Sequence, residues 1–310
     1  MDTRLLVFVT VADKGGFSRT AEELHLTQPA VSQHIQGLEA ELGAKLIDRT
    51  NKYVRLTKAG EIVYHHAKQI LKHYGQMTRL LEDLTQTVKG PLCIGASFTI
   101  GEYVLPHVIS GFRRAYPEVA PTILIENTQH VAEQIAEHQL DVGVVEGGVD
   151  PKLRLEVRPF LADTLVVIVG RQHRWANRTE VEPEELADET WIVRERGSGT
   201  RDVADRLFQQ AGFVPRTLME FGSTQVIKES VEAGLGVAVV SEWAIRKERA
   251  LDTLRALRVR GVPLQREFSW LMHPSQFRTR AMDAFVAYLA RWAAEGHAAR
   301  LLGRDGVARG

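Results

Sequence analysis

The segment Phe17–Leu42, FSRTAEELHLTQPAVSQHIQGLEAEL, constrains the fold more than any other stretch of the chain. Proline lacks an N–H and its ring clashes with the preceding turn, so Pro29 fits only the first turn of a helix. A helix must therefore begin near Thr27, whose hydroxyl suits an N-cap, and Ser18 is expected to cap a shorter helix before it. From that start Val31, Ile35, Leu38 and Leu42 recur at helical spacing and form one apolar stripe. The opposite face carries Gln28, Ser32, Gln33 and Gln36, short or amide-bearing side chains that bond base edges and phosphates. Two short helices joined by a tight turn, the second with such a face, suit insertion in a DNA groove. An ordinary solvated face is the competing reading, and the helix alone leaves both open.

The next residues separate them. AKLIDRTNKYVRLTKAG predicts a short hairpin from Ile47 to Leu56, resembling the wing of a winged helix-turn-helix. The whole block from about Leu5 to Gly60 resembles the N-terminal domain of the LysR-type bacterial transcriptional regulators. The remainder of the chain resembles the same family over nearly its full length. Charge agrees locally rather than globally. The 310-residue chain balances 39 Lys and Arg against 39 Asp and Glu. Its wing, residues 45–58, carries five cations against Asp48 alone. Arg49, Lys52 and Arg55 are thus expected to grip phosphate.

A first helix is expected from Thr3 to Asp13, stopped by Gly15-Gly16. After the wing, a long helix is expected from about Lys58 to Thr87. Ala67, Tyr74, Leu81 and Val88 recur along it at sevens, with Ile70, Met77 and Leu84 offset by three. This seam suits a dimer better than a lone helix, because a two-fold pair of heads matches two operator half-sites. The domains are expected at 1–58 (DNA-binding), 59–89 (linker helix) and 90–300 (two-lobed). Lobe I would take about 92–161 and 268–296 and lobe II about 162–267, with 301–310 a tail. Cys93 reads as a small buried hydrophobe. No signal segment or membrane-length apolar run is legible, so a soluble cytoplasmic protein is expected.

The second half alternates strands (92–96, 122–126, 141–145) with helices (102–116, 130–138). A similar run comes next: strands at 165–169, 191–193, 218–221 and 237–240, with helices from Gly199 and over 224–233. A last strand, 268–272, and helix, 276–295, are expected to return to the first lobe. The fold class is therefore α/β: a winged helix-turn-helix, a linker helix and a two-lobed domain resembling periplasmic binding proteins. Parallel sheets are expected, with ligand outside the carboxyl ends of their strands, between the lobes. The turns there offer Ser97, Thr99 and Gly101, then Asn127 and Thr128, then Glu146. From the other lobe come Arg196, Ser198 and Thr200, then Ser223 and Thr224. Hydroxyls and backbone N–H groups at helix starts, with an arginine, favour an anion. The family resemblance implies that Ser97, Thr99, Ser198, Thr200 and Thr224 line an effector cleft. Glu146 fits an anion poorly and is expected on the rim, or against a donor group.

No GxSxG, Walker, HExxH or CxxC motif occurs. No catalytic residue, metal ligand or cofactor is therefore assigned, and His65, His66 and His73 read as surface residues. An enzyme or a solute-binding protein using the same cleft are the alternatives. The family reading implies several partners: double-stranded DNA at a pseudo-palindromic operator, a small anionic effector, a homodimer paired into a tetramer, and RNA polymerase, with no membrane. Sulfur-assimilation and carbon-fixation regulators form the branch most resembled.

Overall fold

A computed structural model describes residues 2–50, 53–83 and 87–303 of the chain. The chain divides into two compact units, Met1–Thr85 and Gln86–Gly310.

In the first unit α1 (Thr3–Lys14) ends where Gly15 turns into the left-handed region at φ 65°. The helices α2 (Phe17–Glu23) and α3 (Gln28–Leu42) come next. Thr27 caps α3 by accepting from the Ala30 N–H, and Pro29 lies in the first turn as required. Ser18 does not cap α2. The cap position falls at Gly16, because Phe17 packs against the core of this unit and starts the helix two residues earlier. Val7, Phe8, Val11, Val31, Ile35 and Leu38 form that core. Leu42, expected to finish the stripe, is 47% exposed, since the chain reverses at Gly43 immediately after it.

The wing is an antiparallel pair, β1 (Ile47–Thr50) and β2 (Tyr53–Leu56), with Ile47 opposite Leu56. The long helix α4 (Lys58–Asp83) packs Ala67 into the core and leaves Ile62, Ile70, Tyr74 and Met77 exposed. Its close approach to the wing needs Gly60, where a Cβ would stand 2.0 Å from the Leu46 carbonyl oxygen. Leu84 and the Leu81 side chain lie outside the described residues. Val88 does not continue the seam; it packs against the core of the second unit.

The second unit opens with β3 (Gly90–Ser97), α5 (Phe98–Tyr103), α6 (Leu105–Ala115), β4 (Val119–Glu126), α7 (Thr128–Ala136) and β5 (Val142–Glu146). The single helix expected over 102–116 is two helices. Pro106 cannot donate to a continuing helix but suits the start of a new one. β4, β3 and β5 are parallel, as expected for lobe I. Next comes β6 (Glu156–Gly170), 15 residues long, of which the expected strand at 165–169 is only the far end. Lobe II continues as β7 (Glu180–Val181), β8 (Thr190–Val193), α8 (Gly199–Gln210), β9 (Thr217–Glu220), α9 (Thr224–Glu232), β10 (Ala238–Ser241), α10 (Arg246–Leu251) and β11 (Leu254–Val259). The chain returns through β12 (Gln265–Met272), α11 (Arg280–Ala294) and α12 (His297–Leu301).

The main sheet is mixed rather than parallel. β12 runs antiparallel to both β5 and β6, while β10 and β11 lie antiparallel to the second half of β6. β6 and β12 thus serve both lobes, and the lobe boundary falls inside continuous strands. Ile94, Phe112, Phe268 and Phe285 centre the core of lobe I, with α11 packed onto it. Trp191, Val167, Leu207 and Val239 centre lobe II. α12 reaches the first residue of the expected tail: Ala298 joins the lobe I core and Leu301 packs against it.

Candidate functional site

On the first unit the outward face of α3 is open. Gln28, Pro29, Gln33 and Gln36 are exposed and Ser32 is half-buried, while Ser18 and Thr27 are exposed beside them. Arg55 is exposed on β2. Arg49 stands in β1, but its side chain lies outside the described residues, as does Lys52. One buried carboxylate fixes the wing to α3. Glu39 accepts from the N–H groups of Leu46 and Ile47 at 2.9 and 3.3 Å and from Lys45 Nζ at 2.8 Å. Burial pushes its pKa up, yet Lys45 and the two N–H donors outweigh that and hold it below the usual carboxylate range.

In the second unit the turns predicted to converge do so, around a residue not predicted. Arg266 on β12 is buried, and its guanidinium spans the lobes. Nη2 donates to Thr99 Oγ1 at 3.1 Å and Nη1 to Thr200 Oγ1 at 2.9 Å. Nε donates to Asp163 Oδ2 at 2.8 Å, and Nη1 stands 3.5 Å from Glu146 Oε1. Asp163, on β6, also accepts from Ser241 at 2.6 Å. Glu146 is not on a rim: it is 1% exposed and accepts a hydrogen bond from Ser97. Ser97 therefore spends its hydroxyl on Glu146 rather than on capping α5. Thr128 donates to the Glu146 carbonyl at 2.7 Å.

Strand parity carried the missing signal. Asp163 shares its face of β6 with Leu165 and Val167, and Arg266 its face of β12 with Phe268, all buried. A charged residue in phase with core residues must be paired.

A second buried guanidinium replaces the expected one. Arg196 is exposed, whereas Arg194, two residues earlier, is 1% exposed. Arg194 forks onto Glu195 with both bonds at 2.7 Å, donates to Thr224 Oγ1 at 3.2 Å and stacks on the Phe98 ring at 4.3 Å. It thus ties the starts of α5 and α9 together. Ser223 precedes Thr224 with no capping bond of its own. Ser198 caps α8 by accepting from the Thr200 N–H. Asn127 caps α7 and reaches Glu195 across the cleft at 3.4 Å. Gly101 packs on lobe I instead of facing a ligand; a Cβ there would meet Ile125 at 2.8 Å.

The lobes touch directly beside this cluster. Gln129 N–H donates to the Gly197 carbonyl at 3.1 Å. A Cβ on Gly199 would stand 2.2 Å from the Glu146 carbonyl oxygen, so only glycine allows this approach. Electrostatically, two carboxylates share Arg266. Burial raises the pKa of Glu146, with nearby Asp163 adding to the rise and Arg266 opposing it. Burial raises Asp163 too, against Arg266 and the Ser241 hydroxyl. The arrangement is a buried polar cluster with hydroxyls from both lobes and two fixed guanidinium groups.

Comparison with known proteins agrees with both halves. Residues 3–61 match the family described as bacterial regulatory helix-turn-helix protein, lysR family, and residues 85–294 match the LysR substrate binding domain. The chain is 34% identical over 285 residues to the HTH-type transcriptional regulator CysL of Bacillus subtilis, covering 92% of this chain and 95% of that one. It is 36% identical over 295 residues to the RuBisCO operon transcriptional regulator of Acidithiobacillus ferrooxidans, covering 94% of each. Among solved structures, the Synechocystis PCC6803 CcmR regulatory domain in complex with 2-PG matches with TM-score 0.61 and 26% identity. That match covers 66% of this chain and 98% of that one. A helix-turn-helix unit, a two-lobed unit and similarity along nearly the whole length lead to one assignment: the chain belongs to the LysR family of bacterial transcriptional regulators, in the branch of CysL and the RuBisCO operon regulators.

Proposed function

We propose that the protein is a sequence-specific DNA-binding regulator switched by a small anion held between its two lobes. The observation that carries the effector half is the bridging guanidinium: Arg266 binds Thr99 and Thr200 from opposite sides of the cleft. An anion entering there meets Arg266, Arg194 and the hydroxyls of Thr99, Thr200, Ser198 and Thr224. The CcmR domain holds 2-PG, which supports a small-molecule ligand for this chain. Similarity to CysL and to RuBisCO operon regulators supports an inorganic or a phosphorylated or carboxylated anion.

For DNA, Gln28, Pro29, Ser32, Gln33 and Gln36 would enter a major groove, with Arg49, Lys52 and Arg55 on phosphate. The exposed Ile62, Ile70, Tyr74 and Met77 on α4 support pairing of two copies through this helix. Such a dimer would read two half-sites, two dimers would form a tetramer, and polymerase recruitment would follow the effector state. The ligand shifts that state only by its difference in affinity for the two forms.

A thermal-shift screen of the full-length protein tests the effector half, using sulfate, sulfite, thiosulfate, acetylserine and 2-PG. A ligand at a hundredfold its Kd adds about 2.7 kcal/mol to stability. A shift with an anion, lost in Thr99→Ala or Thr200→Ala, is expected. No shift with any anion would sink the anion assignment while leaving DNA binding intact.

A further inference from the structure

Glu146 stands where the proposed anion would bind, and it carries the same chemistry as the ligand. It ends β5, whose five residues are all buried, and its carboxyl meets Ser97, Arg266 and the Thr99 side of the cleft. Its own main chain is pinned by Thr128 and pressed by Gly199, so the side chain has little room to leave. The charges around it come from several elements: Arg266 on β12, Asp163 on β6, Arg194 after β8, and Asp202 on α8 near Gly147. Arg194 is already neutralised by Glu195. Arg266 is already engaged by Asp163, which takes its Nε at 2.8 Å and the Ser241 hydroxyl at 2.6 Å.

With Asp163 ionised, the Arg266–Asp163 pair is neutral. An ionised Glu146 makes the buried cluster net negative, and a protonated Glu146 leaves it neutral. An anion beside the ionised form would put a further like charge in a buried site whose two guanidinium groups are already neutralised. Loss of solvation already pushes this carboxyl toward its neutral form.

We propose that Glu146 is an internal occupant of the anion site, and that the cleft accepts an anion only when this carboxyl carries a proton. The proposal rests on the anionic reading of the cleft. The proton comes from solvent and stays on Glu146, which then donates a hydrogen bond to the ligand instead of repelling it. Ligand binding and protonation are therefore linked. Above the pKa of Glu146 in the free protein, affinity falls about tenfold per pH unit, and below it affinity is level.

The test uses the full-length protein and two probes that do not titrate near neutrality, sulfate and thiosulfate. Calorimetric titrations run from about pH 6 to pH 9 on wild type and Glu146→Gln. Wild type is expected to lose affinity with rising pH, and the variant to bind at least as tightly with no slope. A level wild-type profile over a range in which infrared difference spectra against Glu146→Gln show the carboxyl ionised, or a slope that survives in Glu146→Gln, would overturn the proposal while leaving the anionic reading standing. If neither protein binds either probe at any pH, the anionic reading itself fails and takes the proposal with it. Should Glu146→Gln not fold, wild-type titrations in two buffers of different ionisation enthalpy count protons directly. Uptake approaching one proton is expected wherever the free protein's Glu146 is ionised by its infrared carboxyl stretch, and zero uptake there would refute the linkage.

Discussion

Thr99 of lobe I and Thr200 of lobe II are joined through one guanidinium, each accepting from a different terminal nitrogen of Arg266. Both contacts run through the same buried side chain, so each is expected to hold the guanidinium in place for the other. Thr99→Ala and Thr200→Ala are expected to weaken sulfate binding, and the double variant to cost less than their sum. A double-mutant cycle on sulfate affinity measures the coupling, expected at about 0.5–3 kcal/mol. Strict additivity would mean that the two lobes do not act through Arg266.

Asp163 matters for stability more than for recognition. Removing its carboxylate leaves the buried Arg266 with two neutral threonine hydroxyls and, 3.5 Å away, Glu146 as the remaining carboxylate. Asp163→Ala is expected to lower the stability of the second unit by about 3–5 kcal/mol. Urea unfolding of the full chain measures it. A loss below about 1 kcal/mol would show that Glu146 takes over the pairing.

Gly199→Ala places a methyl group against the Glu146 carbonyl, 2.2 Å away where the main chain is pinned. The lobes must then part locally, at a cost of about 1–3 kcal/mol. The anion-induced thermal shift is expected to vanish while DNA binding by mobility shift persists.

The wing has its own pH dependence. Glu39 titrates below its ordinary range in the folded state, so its contribution is fully present above the unfolded pKa of about 4.5. It is lost as pH falls through the lower, folded value. Glu39→Ala also strands the N–H groups of Leu46 and Ile47, at about 1–3 kcal/mol. Acid unfolding monitored below about pH 5 is expected to be steeper in wild type than in the variant.

Gln33 is exposed on α3 in the row proposed to read bases. Gln33→Ala is expected to weaken operator binding by about 1–3 kcal/mol and to spare random DNA. Equal losses on both would remove this residue from base readout.

The sequence by itself determined the helix-turn-helix, because Pro29, the cap at Thr27 and the Val31–Ile35–Leu38 spacing are local constraints with one common solution. It also determined which turns gather around Arg266, since the turns after the strands of a two-lobed α/β unit lie along its crevice. Tertiary structure decided the rest. Ser18 lost its capping role to Gly16 because Phe17 found a core. Val88 left the expected seam because the lobe I core offered it a surface to pack on. Arg196 and Arg194 are equivalent as letters in one turn, and only Phe98 and Thr224, distant in the chain, select Arg194. The bridging Arg266 lies 66 residues from Thr200 and 167 from Thr99, so no local pattern joins them. A buried charge is legible in sequence only as an anomaly of phase. What pairs it is settled where strands that serve both lobes bring Asp163, Glu146 and Arg266 into one buried volume.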